Sequence, residues 1–418
     1  MTKTTDPRLE VFCSSQLPEL FHSVTHQHEI DRPDPFDIES IHQEARAQFG
    51  LMLHRASAPD TRSGRILLLR GDSGAGKTHL MRAFRNTAHA ASLGYFSYMQ
   101  MTSGVSNYAS YVLRQTLDSL DKPYFVSSGP TTGMLRLSNA LAEDEGIVSP
   151  DELEEIRDGG TDPTRLTALV YRVANRIVNW IVGDTSKTGF NDVNLIRALL
   201  YLQHRRPSTT SIVFRYLRCE TLTPFDTNAL GGLSTNQDDG HPLRMLDSIA
   251  RLISALNSGA LVVCLDQLEE IHQTGDPGPR FARAMGTAVT LAEIPNVLVV
   301  LSCLEDFYNP LAAHLLPPHR DRIENDPSPI NLIATRSEQE IQLIVSRRLN
   351  YLYDAAGLAL TEDNAIYPFQ PESLAALANL RTRDVLDWCR QRREESIGSG
   401  QPPRGGTGVS QPISNPPI

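Results

Sequence analysis

Residues 66–78 read Ile-Leu-Leu-Leu-Arg-Gly-Asp-Ser-Gly-Ala-Gly-Lys-Thr, an apolar run that passes straight into Gly-x-x-x-x-Gly-Lys-Thr. No other stretch constrains the fold as tightly. A triphosphate needs several N–H donors converging on its β and γ oxygens, together with a cation that does not obstruct them. Gly71, Gly74 and Gly76 let the backbone curl around Asp72, Ser73 and Ala75 so that the amides point inward. Lys77 then reaches the β/γ-phosphates, and Thr78 holds Mg²⁺ at the start of a helix that runs on through His79-Leu-Met-Arg-Ala-Phe84. The strand before and the helix after are the context this motif requires, so the sequence predicts a chain that binds a nucleoside triphosphate with Mg²⁺.

A P-loop strand needs a partner strand ending in an acid that acts on the metal, and Ala260-Leu-Val-Val-Cys-Leu265 followed by Asp266 supplies one. An uninterrupted apolar run is the mark of a parallel strand buried on both faces. A third such run, Asn296-Val-Leu-Val-Val-Leu-Ser302, ends in a small polar residue. Gly94–Met101 reads as a further strand, and Ser211–Leu217 as either a helix or a strand. Residues 79–265 separate Thr78 from Asp266, far more than a sheet crossover needs, so an inserted module is expected at 105–205. There Leu166, Leu169, Val170, Val173, Ile177 and Ile181 recur at helical spacing, a stripe that belongs in a core.

The 418 residues, 40% hydrophobic and 21% charged, suffice for two or three domains, and the net charge of −10 gives no general basis for binding nucleic acid. A local basic groove stays open. Five widely spaced cysteines without a Cys-x-x-Cys pair point to neither a disulfide framework nor a zinc site, and they fit a reducing cytoplasm. No apolar run is long enough for a bilayer, and Met1–Thr4 does not open a leader. The segment 1–34 reads as flexible, with His26, His28 and Asp31 too loosely spaced for a metal site. A helix is expected from Asp34 through Phe49. The stretch 398–418 reads as a Gly/Pro/Ser-rich linker or tail, either of this chain or leading into something longer.

With these three runs in place, residues 36–392 resemble an AAA+ P-loop ATPase of the initiator/STAND grouping. The Gly-Lys-Thr-His-Leu-Met opening is similar to helicase loaders and initiators. Asp266-Gln-Leu-Glu-Glu270 and Leu301-Ser-Cys-Leu-Glu-Asp-Phe-Tyr308 are more similar to STAND signalling ATPases, although Leu304 stands where those proteins commonly carry Arg. The resemblance implies a three-layer α/β fold around a parallel sheet, with core segments 35–104 and 206–330 and a helical lid at 331–397. It places the third strand between the other two and gives Ser302 a contact to the γ-phosphate or water. Most AAA+ enzymes have Glu directly after the Walker B acid. Here Gln267 occupies that place, leaving Glu269 or Glu270 to orient water. Arg383, or Arg381, matches the lid arginine that reaches the γ-phosphate, and Arg322, or Arg320, matches the finger lent to a neighbouring subunit. Independently of any resemblance, Ser337 and Glu340 form a capping box that starts a helix.

The functions implied are an ATP-hydrolysing motor or switch assembling as a homo-oligomeric ring with a protein partner, with bacterial phage defence as a setting the resemblance suggests. A nucleotide-gated scaffold with little hydrolysis and a DNA loader are the alternatives.

Overall fold

The computed structural model describes residues 6–16, 19–22, 29–58, 61, 63–124, 131–142, 146–183, 189–204, 206–256, 259–273, 276–358 and 365–404. The chain forms two compact units. One comprises Glu44–Arg70 and Met81–Asn331, and the other the segment up to Gln43, Gly71–Leu80 and the chain from Leu332 onward.

The first unit is built on a parallel sheet of β1 (Arg65–Gly71), β2 (Gly94–Gln100), β5 (Ala260–Asp266), β6 (Val297–Cys303) and β7 (Ile330–Leu332), in the order β2-β5-β6-β1-β7. Every residue of β5 and β6 is buried, which is why both read as unbroken apolar runs. The third strand does lie between the other two: Arg70 of β1 is level with Cys303 of β6, and Leu265 of β5 with Leu301. The carboxyl ends of these strands therefore share one edge of the sheet. Flanking the strands are α2 (Gln43–Ala56), α3 (Lys77–Ala90), α12 (Pro277–Leu291), α13 (Glu305–Leu311) and α14 (Pro317–Glu324).

Between β2 and β5 the regular elements among the described residues are helices and one short antiparallel pair, β3 (Pro123–Tyr124) with β4 (Thr131–Thr132). The helices are α4 (Tyr108–Leu120), α5 (Gly133–Ala142), α6 (Pro150–Arg157), α7 (Pro163–Gly183), α8 (Val193–Leu202), α9 (Pro207–Leu217), α10 (Pro224–Ala229) and α11 (His241–Ala255). Pro207 at the first helical position settles Ser211–Leu217 as helix rather than strand. On α7 the stripe from Leu166 to Ile181 is buried in the same apolar core as Val263 and Val299 of the sheet.

The second unit collects α1 (Pro7–Phe12), α15 (Glu338–Ala355), α16 (Pro371–Ala375) and α17 (Thr382–Ser399). Ser337 and Glu340 make the expected capping box at the start of α15. The segment expected to be flexible is instead packed: Phe12, Leu20 and Phe21 are buried with Ile341, Leu349, Phe369 and Trp388. Phe12 and Phe21 both meet the Phe369 ring edge-on, at 5.5 and 6.0 Å between centroids. The buried Arg393 of α17 fastens the same segment, donating from Nε to the Phe12 carbonyl at 3.2 Å and from Nη2 to that of Ser14 at 3.3 Å. His26 and His28 lie outside the described residues, as do 405–418 of the expected tail.

The helix expected from Asp34 begins only at Gln43 and runs to Ala56. Pro35 disfavours a helical conformation at Asp34, whose side chain accepts the Phe36 N–H at 2.9 Å in a local turn. His42, at φ 58°, then breaks the chain immediately before the helix. No helix among the described residues is long and apolar enough to cross a membrane, and no group of three or more His, Cys, Asp or Glu among them is placed to hold a metal ion.

Truncating Phe12 to Ala removes a fully buried ring that packs edge-on against Phe369, a change that typically costs about 3–5 kcal/mol. The urea midpoint of the variant is expected to fall accordingly. An unchanged midpoint would show that the N-terminal segment is not part of the folded unit.

Candidate functional site

In the second unit the loop from Gly71 to Gly76 leads into α3. Gly74 and Gly76 have φ of +82° and +94°, left-handed values that turn successive amides to one side. Gly71 is required for a different reason, since a Cβ there would lie 2.7 Å from the Leu332 carbonyl. The buried Lys77 ammonium lies inside the curl, donating to the carbonyls of Gly71 at 2.8 Å and Asp72 at 3.0 Å. Asp72 and Ser73 are exposed, and Thr78 is half-buried in the first turn of α3.

The loop is also held from outside. The Ala75 carbonyl accepts from Arg336 Nη2 at 3.1 Å and lies 2.7 Å from His42 Nε2, which is itself 3.0 Å from Arg336 Nη2. Arg336, 3% exposed, donates further to Thr382 Oγ1 and to the carbonyls of Ile333 and Thr335. Its guanidinium pKa is lowered by burial, with Glu340 working the other way. Both lid arginines named from the sequence stand beside the loop: Arg381 Cδ and Arg383 Cβ are each 4.0 Å from where a Cβ on Gly74 would be.

His79 is gripped by two carboxylates, Nδ1 to Asp34 Oδ2 and Nε2 to Asp37 Oδ1, both at 3.1 Å. Burial alone would lower the imidazole pKa, but hydrogen bonds and charge from the two aspartates outweigh it and raise the pKa above 6.5. Asp34 is itself 4% exposed at its side chain and faces Arg348, whose pKa burial pushes down to about 10 despite the Asp34 charge.

In the first unit, Asp266 closes β5 with its side chain fully buried. Its Oδ1 accepts the Gln267 N–H at 2.9 Å, and its Oδ2 accepts the Tyr98 hydroxyl at 2.9 Å. Burial and the Asp266 charge raise the Tyr98 pKa, keeping the phenol protonated as a donor. Gln267 has φ 56° and turns the chain off the strand into a 3₁₀ turn, Leu268–Gln273, which carries both glutamates. Glu269 Oε2 accepts the Leu304 N–H at 3.2 Å, so this carboxylate reaches across to the end of β6. Ser302 is fully buried, and its Oγ has no hydrogen-bond partner among the described residues.

The two finger candidates differ. Arg322 turns into its own chain, donating from Nη2 to the Ala292 carbonyl at 2.5 Å and the Gly64 carbonyl at 3.5 Å. Arg320 has a side chain 54% exposed and pairs with Glu324 at 2.9 Å. The favoured Arg322 is thus committed internally, and the second choice, Arg320, is the one presented outward.

Tyr98, His42, Arg336, Asp34 and Asp37 were not indicated by the sequence. Only for Tyr98 was there a signal, a polar tip near the end of the strand preceding the long insertion.

Curled amides around an ammonium, followed by a helix on a parallel sheet, define a P-loop nucleoside triphosphatase. The sequence profile described as AAA ATPase domain matches residues 44–300, more than half of the chain, and the protein belongs to that family of nucleotide-hydrolysing ATPases. A search of curated proteins gave no match.

The His79 cluster carries a pH signature. Because the folded pKa is raised, its stabilisation is complete below the unfolded value of 6.5 and is lost as pH rises through the folded value. Melting temperatures measured from about pH 6 to about pH 8 should fall more steeply for wild type than for Asp37→Asn. Parallel curves would remove His79 as the cause.

Proposed function

We propose that the protein is an ATP-hydrolysing switch that works as a homo-oligomer of the STAND-like type. The observation that carries the nucleotide reading is the loop in which Lys77 sits among left-handed glycines, with lid arginines 381 and 383 beside Gly74. The orphan hydroxyl of Ser302, buried at the end of the strand between β1 and β5, fits a phosphate oxygen or attacking water as partner. Thr78 and Asp266, a hydroxyl and a carboxylate, are the oxygen donors suited to Mg²⁺. When bound, the ion would neutralise charge on the β and γ oxygens.

The residues divide the work as follows. Backbone amides of the loop and Lys77 bind the phosphates. Water attacks the γ-phosphorus in line, the bond to the β–γ bridging oxygen breaks, and ADP and phosphate leave. Glu269 orients the water and takes its proton. Its bond to Leu304 holds it at the end of β6, the strand between those bearing Asp266 and the loop. Arg383 or Arg381 covers the γ-phosphate from the lid. Arg320, exposed on α14, is the finger offered to the next subunit. The Asp-Gln-Leu-Glu-Glu block supports the STAND-like side of the family, and a role in phage defence rests on that resemblance alone. A second reading, a nucleotide-gated scaffold with slow turnover, is favoured by Gln267, whose left-handed backbone occupies the place where most AAA+ enzymes have Glu.

Lys77→Ala is expected to abolish tight binding of a fluorescent ATP analogue, and retained affinity would refute the phosphate-loop reading. Asp266→Asn should keep affinity within about tenfold yet lose Mg²⁺-dependent hydrolysis. Glu269→Gln should bind ATP and stall, whereas Glu270→Gln should turn over. The reverse pattern would move the role to Glu270. Arg320→Ala should lower turnover by roughly 10³-fold with binding intact, and mixing it with Lys77→Ala protein should restore activity. A monomeric mass under saturating ATP without complementation would end the oligomer proposal.

A further inference from the structure

Each oxygen of the Asp266 carboxylate accepts a hydrogen bond from its own unit, one from the next residue and one from another strand. Oδ1 takes the N–H of the next residue, whereas Oδ2 takes the hydroxyl of Tyr98, a residue of β2. In the parallel pairing of β2 with β5, Tyr98 is level with Cys264 and Gln100 with Asp266. Tyr98 thus reaches forward two positions, a diagonal that an aromatic side chain can span. The main chain is tied at the same height, since the Met101 N–H donates to the Asp266 carbonyl at 2.8 Å.

Behind Tyr98 stands a further line of contacts. The Gln100 carbonyl, next to the strand end, accepts the Tyr111 hydroxyl of α4 at 2.5 Å. Ser119 of α4 accepts the Tyr98 N–H and donates to the Tyr98 carbonyl, both at 3.1 Å. The strand end that carries the phenol is therefore anchored to the first helix after β2.

We infer that Tyr98 is a positioning residue of the nucleotide site: its hydroxyl, donated to Asp266 Oδ2, fixes the orientation of the carboxylate that would act on Mg²⁺. Partners of this kind, one step behind the metal, typically carry a 10–100-fold effect on metal affinity. The inference rests on the reading of Asp266 as the metal-directed acid.

The test uses the full chain and Tyr98→Phe, which keeps the ring and deletes only the hydroxyl. Binding of a fluorescent ATP analogue is titrated with Mg²⁺ and also measured in EDTA. Tyr98→Phe should need about tenfold more Mg²⁺ for the same half-maximal enhancement, with affinity in EDTA unchanged. In an Asp266→Asn background the same change should have no further effect on Mg²⁺ dependence, because the two residues act in series. A Mg²⁺ midpoint equal to wild type, or additive effects in the double variant, would overturn the role of Tyr98. A wild-type protein whose nucleotide binding ignores Mg²⁺ would instead overturn the underlying reading of Asp266. If Tyr98→Phe does not fold, Ser119→Ala, which removes the hydroxyl bonded to both the N–H and the carbonyl of Tyr98, must shift the midpoint in the same direction. Failure to do so also refutes the role.

Discussion

A backbone that gathers phosphate oxygens must keep its amides pointing inward, and a loop of three glycines has little conformational preference of its own. What fixes it here is the carbonyl of Ala75, which accepts from Arg336 and is in contact with the His42 ring. Those two residues come from before the first strand and from the entrance to the lid helices, and Arg336 spends its other donors on Ile333, Thr335 and Thr382. The order of the phosphate loop is thus inherited from the packing of the whole second unit. The N-terminal segment belongs to the same unit, buried with α15 and α17 and fastened by Arg393.

The first unit solves a separate problem, the aiming of acids from the edge of a sheet. Parallel register brings the ends of β1, β5 and β6 to one edge. Each polar group there has its own support: Tyr98 for Asp266, the Leu304 amide for Glu269, and burial without a partner among the described residues for Ser302. Burying a hydroxyl without a hydrogen bond costs about 1–3 kcal/mol, so Ser302 is a group whose burial calls for a partner.

The parts legible in the sequence were those written in local pattern: the glycine loop, the unbroken strands ending at Asp266 and Ser302, and the Ser337–Glu340 box. Each is decided within a dozen residues. The rest depended on partners far along the chain. Phe12, Leu20 and Phe21 show no period by themselves, and their burial follows from α15–α17. The start of α2 was misplaced because the turn at Asp34 and the left-handed His42 interrupt a segment that otherwise reads as helical. Arg320 and Arg322 are two residues apart on one short helix, and sequence cannot tell which side faces the carbonyls of Gly64 and Ala292.

Gln267 has a consequence for redesign. Its φ of 56° places a side chain with a Cβ where the backbone prefers glycine, a strain of roughly 1–2 kcal/mol. The direction in which this side chain leaves the strand is set by that turn. An attempt to speed the enzyme by grafting a carboxylate at this position would inherit the left-handed exit and its aim. The 3₁₀ turn that follows, already carrying two glutamates, is the piece of backbone whose geometry would have to be rebuilt with it.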